Sequence, residues 1–142
     1  MQAYIAIKYH PDNKNRPRIE QISRALARAG IKSICVVRDL EKWGEVHFSL
    51  AELMQKSFAA IDVCDLLVVD LSEKGVGVGI EAGYAYARGI PIITIAQIGA
   101  DVSETLRGIS QNVFLYESEA ELSSFMLSHG SPTHDRPAAI FG

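Results

Sequence analysis

One carboxylate and the three glycines before it are the residues whose spacing most clearly suggests chemistry. The carboxylate is Glu81, and the glycines are Gly75, Gly77 and Gly79. Glycines leave the backbone open to the close approach of a ligand. The side chains next to Glu81 in the sequence are apolar, and no basic residue is nearer than Lys74. At the mouth of a helix such a carboxylate is expected to stay ionised, which suits a nucleophile better than a general acid.

Two other interpretations of this segment compete with a catalytic one. A glutamate is common in the first turn of a helix, because the positive end of the helix dipole stabilises its charge. Residues 77–82 also fit the glycine fingerprint of dinucleotide-binding folds. That fingerprint belongs directly after the first strand of a domain, whereas this segment follows the third predicted strand after an interval of three residues. A glutamate there would also repel a pyrophosphate, so the fingerprint is set aside.

The surrounding elements alternate between apolar strands and amphipathic helices. Strands are predicted at 3–9, 32–37, 66–71, 90–96 and 113–116. Helices are predicted from 15–17 to Gly30, over 50–61, from 78 or 79 to Gly89, over 102–108 and over 119–127. This alternation predicts an α/β fold: a flavodoxin-like three-layer sandwich with a five-stranded parallel sheet in the order 2-1-3-4-5. The long connection 38–47 is a candidate lid.

The predicted strand order places the end of strand one beside the glycine segment. Ligands bind in open α/β sheets where the strand order reverses, here between strands one and three. Lys8 and His10 follow strand one and are therefore candidate binding residues, although His10, like His47, could equally be an exposed loop histidine. Asp70 ends strand three and is a candidate catalytic carboxylate; the ordinary alternative is a strand-ending cap.

Size and composition indicate one cytoplasmic domain that binds a small molecule. The chain has 142 residues, of which 48% are hydrophobic, so we expect a single domain over 1–127 and a mobile tail over 128–142. A net charge of −3 does not suggest a nucleic-acid or membrane partner. No apolar run approaches the roughly 20 residues of a membrane span, and no secretory signal is recognised. Cys35 and Cys64 are predicted to be buried thiols, and neither a metal site nor a cofactor is expected.

The segment from Leu66 to Ala85 resembles the nucleoside 2-deoxyribosyltransferase family. The resemblance consists of Val-Val-Asp at the end of strand three, the glycine run through Glu81, and the following Ala-Gly-Tyr-Ala. Tyr4 in strand one and Ser-Glu-Thr-Leu-Arg-Gly at 103–108 extend it over about residues 3–116. The same family includes 2′-deoxynucleoside 5′-monophosphate N-glycosidases.

This resemblance implies a double displacement at the anomeric carbon of a nucleoside or nucleotide. Glu81 would attack C1′ and expel the base, and a second base or water would resolve the glycosyl ester. Tyr4 would hydrogen-bond the Glu81 carboxylate. The family's members are oligomers with shared sites, which implies a homodimer or larger homo-oligomer in which Ser103 reaches the 5′ group in the neighbouring subunit.

Several departures from the family pattern keep three functions open. Ser57 stands where the family has an acidic residue that helps to protonate the departing base, so His47 or Asp70 would have to substitute. Gly75 replaces an aspartate of the transferases. The phosphate loop of the nucleotide hydrolases is absent, and Lys8 and His10 would meet a phosphate only as point charges. The chain is therefore a nucleoside deoxyribosyltransferase, a 5′-monophosphate N-hydrolase, or a nucleotide-binding sensor that has lost its acid. The predicted substrate-binding residues are Lys8, His10, Ser57, Gly75, Gly77, Gly79 and Ser103.

Overall fold

The computed structural model describes residues 1–130, so most of the predicted tail, 131–142, lies outside the described residues. Five parallel strands form one sheet in the order β2-β1-β3-β4-β5, which confirms the predicted fold and strand order. The strands are β1 (Gln2–Ala6), β2 (Lys32–Ile34), β3 (Leu66–Asp70), β4 (Ile92–Gln97) and β5 (Asn112–Tyr116). In the register of the sheet, Tyr4 of β1 lies between Ile34 of β2 and Leu67 of β3.

Helices cover both faces of this sheet. They are α1 (Arg16–Arg28), α2 (Leu50–Asp62), α3 (Val76–Ala87), α4 (Glu104–Ile109) and α5 (Glu119–His129). Apolar side chains of α1 and α5 pack on one face, and those of α2, α3 and α4 pack on the other. Successive strand residues point to opposite faces, so Ile5 faces α1 and α5 whereas Tyr4 faces α2 and α3. Every residue of β3 is buried, as expected for a central parallel strand.

Helix α3 begins at Val76, two or three residues before the predicted start. Glycine is a poor helix former, which made 78 or 79 the expected first position. The packing of Val78, Ala82 and Ala85 on the sheet overrides that propensity. Gly75 is the N-cap, with an extended backbone. Glu81 consequently lies in the second turn of α3 and not at its mouth.

The predicted boundaries around the second strand are wrong as well. Strand β2 stops at Ile34, because residues Val36–Leu40 form a short π-helix and Lys42–Gly44 a 3₁₀ turn. The Asp39 carboxylate accepts a hydrogen bond from the backbone N–H of Cys35 at 2.8 Å, which stabilises the tight turn at the strand end. Strand β1 also ends early, at Ala6, so Lys8 and His10 lie in the loop before α1.

The last helix continues to His129, past the predicted end of the domain at residue 127. Ser118 caps its first turn by accepting a hydrogen bond from the backbone N–H of Glu121. Within residues 1–130, none of the helices combines the length and the apolar character needed to cross a bilayer.

Candidate active site

Tyr4 on the central strand β1 meets Glu81 from the second turn of α3. The Tyr4 hydroxyl donates a hydrogen bond to Oε2 of Glu81. Residue 81 comes opposite β1 because α3 packs its Val78–Ala82–Ala85 stripe on the same face of the sheet as Tyr4. The contact is the one that the resemblance implied, whereas the catalytic roles of the two residues remain predictions.

Burial controls the protonation of this pair. It raises the pKa of Glu81 to about 7, and the hydrogen bond from Tyr4 opposes part of the rise. Burial, the Glu81 charge and the hydrogen bond to it raise the pKa of Tyr4, so the phenol remains a hydrogen-bond donor. The expectation of a fully ionised Glu81 is therefore wrong. The helix dipole acts mainly within the first turn, whereas Glu81 lies in the second turn, where loss of water dominates.

A cavity of about 520 Å³ opens beside this pair, a size typical of small-molecule sites. Its wall comes from the segments that follow β1 and β2, the start of α2 and the first turns of α3. Its lining includes the apolar side chains Phe48, Leu53 and Met54 and the polar side chains Lys8, His10 and Asn15. The cavity therefore offers both apolar and polar surface together with the Glu81 carboxylate.

Most of the predicted site residues line this cavity. Besides Tyr4 and Glu81, they are Lys8, His10, Ser57, Gly75 and Gly77. Ser57 donates its hydroxyl hydrogen to the carbonyl oxygen of Leu53 at 2.8 Å and is 5% exposed. The histidine is buried too, so the exposed-loop alternative does not describe His10. Cys35 also lines the cavity; it and Cys64 are buried free thiols, as predicted.

The glycines differ in the space around them. A Cβ atom on Gly75 would lie 3.4 Å from Cγ of Lys8, which is ordinary van der Waals contact, and one on Gly77 or Gly79 would meet nothing within 4 Å. Gly75 and Gly77 line the cavity, whereas Gly79 is exposed and does not. The predicted role of these glycines in the approach of a ligand therefore stays a prediction.

Asp70 does not reach the cavity. Its carboxylate accepts hydrogen bonds from the Tyr116 hydroxyl at 2.9 Å and from the Ser72 backbone N–H at 2.7 Å. Tyr116 belongs to the core between the sheet and helices α1 and α5, on the opposite face from Glu81. Adjacent residues of a strand face opposite sides of the sheet. Val69 faces the same side as Tyr4, so Asp70 faces away from Glu81. The strand-ending alternative describes Asp70, and the structure gives no place for the predicted catalytic role.

Two further candidates, Ser103 and His47, and the loop residue Trp43 also lie outside this cavity. Ser103 caps α4 by accepting a hydrogen bond from the Leu106 backbone N–H at 3.4 Å, and its predicted role in a neighbouring subunit stays a prediction. His47 is exposed. Trp43 packs against the core beside α1 with the Arg16 guanidinium 4.4 Å from its ring centroid, so it closes the core and does not stack on a ligand in the cavity.

Glu41 is a cavity residue that the sequence analysis did not identify. It follows the π-helix, and its backbone N–H donates to the carbonyl oxygen of Val36 at 2.9 Å. Its carbonyl oxygen accepts hydrogen bonds from the N–H groups of Gly44 and Val46. Burial raises the pKa of the Glu41 carboxyl, against the opposing effect of His47. The available signal was an acidic residue in the predicted lid, but a π-helix has no sequence pattern that would have placed it.

No group of three or more His, Cys, Asp or Glu side chains within residues 1–130 is arranged to hold a metal ion.

The chain matches no protein-family model. A protein from Syntrophotalea carbinolica is 49% identical over 37 residues, which is 26% of each chain. A protein from Thermofilum pendens is 26% identical over 121 residues, which cover 80% of this chain and 82% of that protein. Both relatives are named as candidate 2′-deoxynucleoside 5′-phosphate N-hydrolases.

Solved structures share the fold at low sequence identity. A CMP N-glycosidase from Clostridium botulinum has a TM-score of 0.61 and 22% identity, with 89% of this chain and 98% of that chain covered. A 2-deoxyribosyltransferase from Bacillus psychrosaccharolyticus has a TM-score of 0.71 and 14% identity, with 87% and 90% covered. With the relatives named above, these structures confirm the resemblance to the nucleoside 2-deoxyribosyltransferase family and its related N-glycosidases.

Proposed function

We propose that the protein breaks the N-glycosidic bond of a 2′-deoxynucleoside or its 5′-monophosphate, with Glu81 as the nucleophile. The observation that carries this proposal is the hydrogen bond from Tyr4 to Glu81 at the wall of the cavity. A carboxylate nucleophile must be held by one oxygen and keep the other for attack. Here Oε2 accepts the bond from Tyr4. The names of the relatives support the same bond type.

In the proposed reaction the free oxygen of Glu81 attacks C1′ of the sugar. The C1′–N bond breaks, and its electron pair leaves with the base. The transition state has oxocarbenium character, and the product of this step is a glycosyl ester on Glu81. Attack on C1′ by water gives the free sugar, and attack by a second base gives a new nucleoside; either restores the carboxylate. Only the ionised form of Glu81 can begin the reaction, and the hydrogen bond from Tyr4 favours that form.

The proposed proton donor for the departing base is Glu41. Ser57 stands at the position where the family has an acid, and its hydroxyl donates a hydrogen bond to the Leu53 carbonyl oxygen. Neither His47 nor Asp70 lines the cavity, but Glu41 does. A general acid must carry its proton before the reaction, and the burial that raises the pKa of Glu41 favours the protonated form.

A homo-oligomer is part of the proposal. Val76 at the start of α3 is 83% exposed and Ile80 is 48% exposed, and both are apolar. Leu50 at the start of α2 is also 83% exposed, and it and Val76 line the cavity. A second copy covering these side chains would remove apolar surface from water and close the cavity. The trans role of Ser103 and a cytoplasmic location remain predictions.

The test is incubation with the four common 2′-deoxynucleosides and their 5′-monophosphates, with and without an added free base. Free sugar or sugar phosphate in the products indicates hydrolysis, and a new nucleoside indicates transfer. Glu81→Gln should abolish both, and a sugar adduct should appear on the Glu81 peptide of the wild-type protein. Equal turnover by Glu81→Gln would contradict the mechanism. A rise in melting temperature on ligand addition without turnover would instead favour the nucleotide-binding sensor. The serine at position 57, where the family has an acid, is the observation that favours this alternative.

A further inference from the structure

Three basic side chains lie close to one carboxylate, and two of the three line the cavity. Nε2 of His10 lies 3.0 Å from Oε1 of Glu73, and Nη1 of Arg18 lies 3.5 Å from the same oxygen. Nζ of Lys8 lies 4.0 Å from Oε2 of Glu73. Lys8 and His10 line the cavity, whereas Glu73 is not among its lining residues. Both of these cavity residues are thus already paired with a carboxylate of the protein itself.

Glu73 is ionised in this position. Burial would raise the pKa of Glu73, but the hydrogen bond with His10 and the charges of His10, Lys14 and Arg18 hold the pKa below its ordinary value. Glu73 lies in the short loop between β3 and α3, next to the first turn of α1. That turn carries no acidic residue, so Glu73 also supplies negative charge near the positive end of the helix.

The backbone donors near this cluster are occupied as well. The N–H groups of Arg18 and Ile19 both donate to the carbonyl oxygen of Asn15, and the N–H of Asn13 donates to that of His10. The Asn15 side-chain amide donates to the carbonyl oxygen of Lys8 at 2.8 Å. A loop that binds phosphate directs several free N–H groups at the anion. These four donors, in the loop and in the first turn of α1, point at the protein's own carbonyl oxygens.

The chemistry of the lining residues suits one orientation of a nucleoside. Glu81 must reach C1′, which carries the base, whereas the 5′ group is attached across the ring at C4′. The apolar residues Phe48, Leu53 and Met54 suit a base and the basic residues Lys8 and His10 suit the 5′ group, so the proposed orientation directs the 5′ group toward Lys8 and His10.

We propose that Glu73 makes the cavity select a substrate with an uncharged 5′ end, a nucleoside in preference to its 5′-monophosphate. This inference rests on the proposed function, since it concerns the 5′ group of the same substrate. The Glu73 carboxylate lies 3.0 Å from the His10 nitrogen and 4.0 Å from the Lys8 nitrogen that a phosphate would contact. The phosphate and the Glu73 carboxylate would repel each other, and Glu73 already neutralises part of the positive charge of Lys8 and His10. A 5′-hydroxyl meets no such repulsion and can donate or accept a hydrogen bond.

The test compares wild type with Glu73→Gln on 2′-deoxynucleosides and their 5′-monophosphates. The wild-type protein should have the higher kcat/KM for nucleosides. Glu73→Gln should raise kcat/KM for the monophosphates about tenfold, equivalent to roughly 1.4 kcal/mol, and change that for nucleosides much less. Asp101→Asn is the matched control, because it removes an exposed carboxylate from an ion pair with the neighbouring Lys74, 2.8 Å away and outside the cavity. This control should leave the ratio of the two substrates unchanged.

Two outcomes overturn the inference. If Glu73→Gln lowers kcat/KM for the monophosphates, Glu73 orients the basic side chains for phosphate. If the ratio of nucleoside to monophosphate does not change, Glu73 has no part in selection. The affinities of inorganic phosphate and of the monophosphates, measured by calorimetry on the same variants, should rise on Glu73→Gln. Absence of turnover with every substrate would refute the proposed function, and these affinities would still decide the role of Glu73.

Discussion

Replacing Glu81 by glutamine should stabilise the protein above neutral pH. The pKa of Glu81 is raised by burial from its ordinary value of 4.5 to about 7 in the folded chain. Below pH 4.5 the carboxyl is protonated in both the folded and unfolded chains, so it favours neither. As the pH rises through about 7, the unfolded chain has already released its proton and the folded chain must ionise a buried group. The folded state therefore loses stability across this interval.

The expected size of the effect follows from the two pKa values. Each pKa unit corresponds to about 1.36 kcal/mol, so the loss is at most about 3 kcal/mol at pH 8. Glutamine keeps the shape of glutamate and can still accept a hydrogen bond from Tyr4, but it has no charge to desolvate. We therefore expect Glu81→Gln to match the wild-type protein near pH 4.5 and to be up to about 3 kcal/mol more stable at pH 8.

Urea unfolding followed by circular dichroism at pH 4.5, 6, 7 and 8 measures this difference directly and requires no substrate. Glu45→Gln, at an exposed glutamate in the loop before α2, is the control and should not depart from the wild-type curve by more than about 0.5 kcal/mol. A difference between wild type and Glu81→Gln that is the same at pH 4.5 and pH 8 would refute the conclusion that burial sets the protonation of this carboxyl.

Three other predictions concern neighbouring residues. Tyr4→Phe removes the hydrogen bond that favours ionised Glu81, so the pH at which kcat/KM reaches half its maximum should rise by about one unit. An unchanged pH profile of kcat/KM would contradict the role of Tyr4 in keeping Glu81 ionised. Glu41→Gln should lower kcat by about 10²-fold or more for ordinary nucleosides. The loss should be much smaller for a 7-methylated purine nucleoside, because its charged base leaves without a proton. Equal losses with the two substrates would show that Glu41 is not the proton donor. Gly79→Ala should raise the free energy of unfolding by about 0.5–1 kcal/mol in urea, because a Cβ there meets nothing within 4 Å; destabilisation would mean that the glycine is needed.

The strand order could be predicted because alternating strands and helices with right-handed crossovers leave few topologies. That order also brings the end of β1 beside the glycine segment, whereas the specific bond from Tyr4 to Glu81 was implied by the family resemblance. The face of the sheet on which Asp70 lies was also available in principle, since it follows from strand alternation with Val69. The predicted role went wrong because a polar residue at a strand end was assumed to face the ligand.

Other features depend on contacts that a single sequence does not display. The start of α3 was misplaced because packing of Val78 and Ala82 overrides the low helix propensity of the glycines. Glu41 was missed because no residue pattern marks the π-helix before it, although the bond from the Cys35 N–H to Asp39 at its start is local. The pKa of Glu81 likewise depends on how much protein surrounds it, which the order of residues does not reveal.

The connection from Val36 to Val46 forms part of the cavity wall and overlaps the candidate lid at 38–47. Its turns are closed by their own backbone bonds, from Asp39 to Cys35 at 2.7 Å, from Glu41 to Val36 at 2.9 Å and from Val46 to Glu41 at 3.0 Å. A segment closed in this way depends little on the strand and the helix that bring Tyr4 and Glu81 together. In the proposed mechanism the nucleophile therefore belongs to the sheet and its covering helix, whereas the proton donor Glu41 belongs to a self-contained insert.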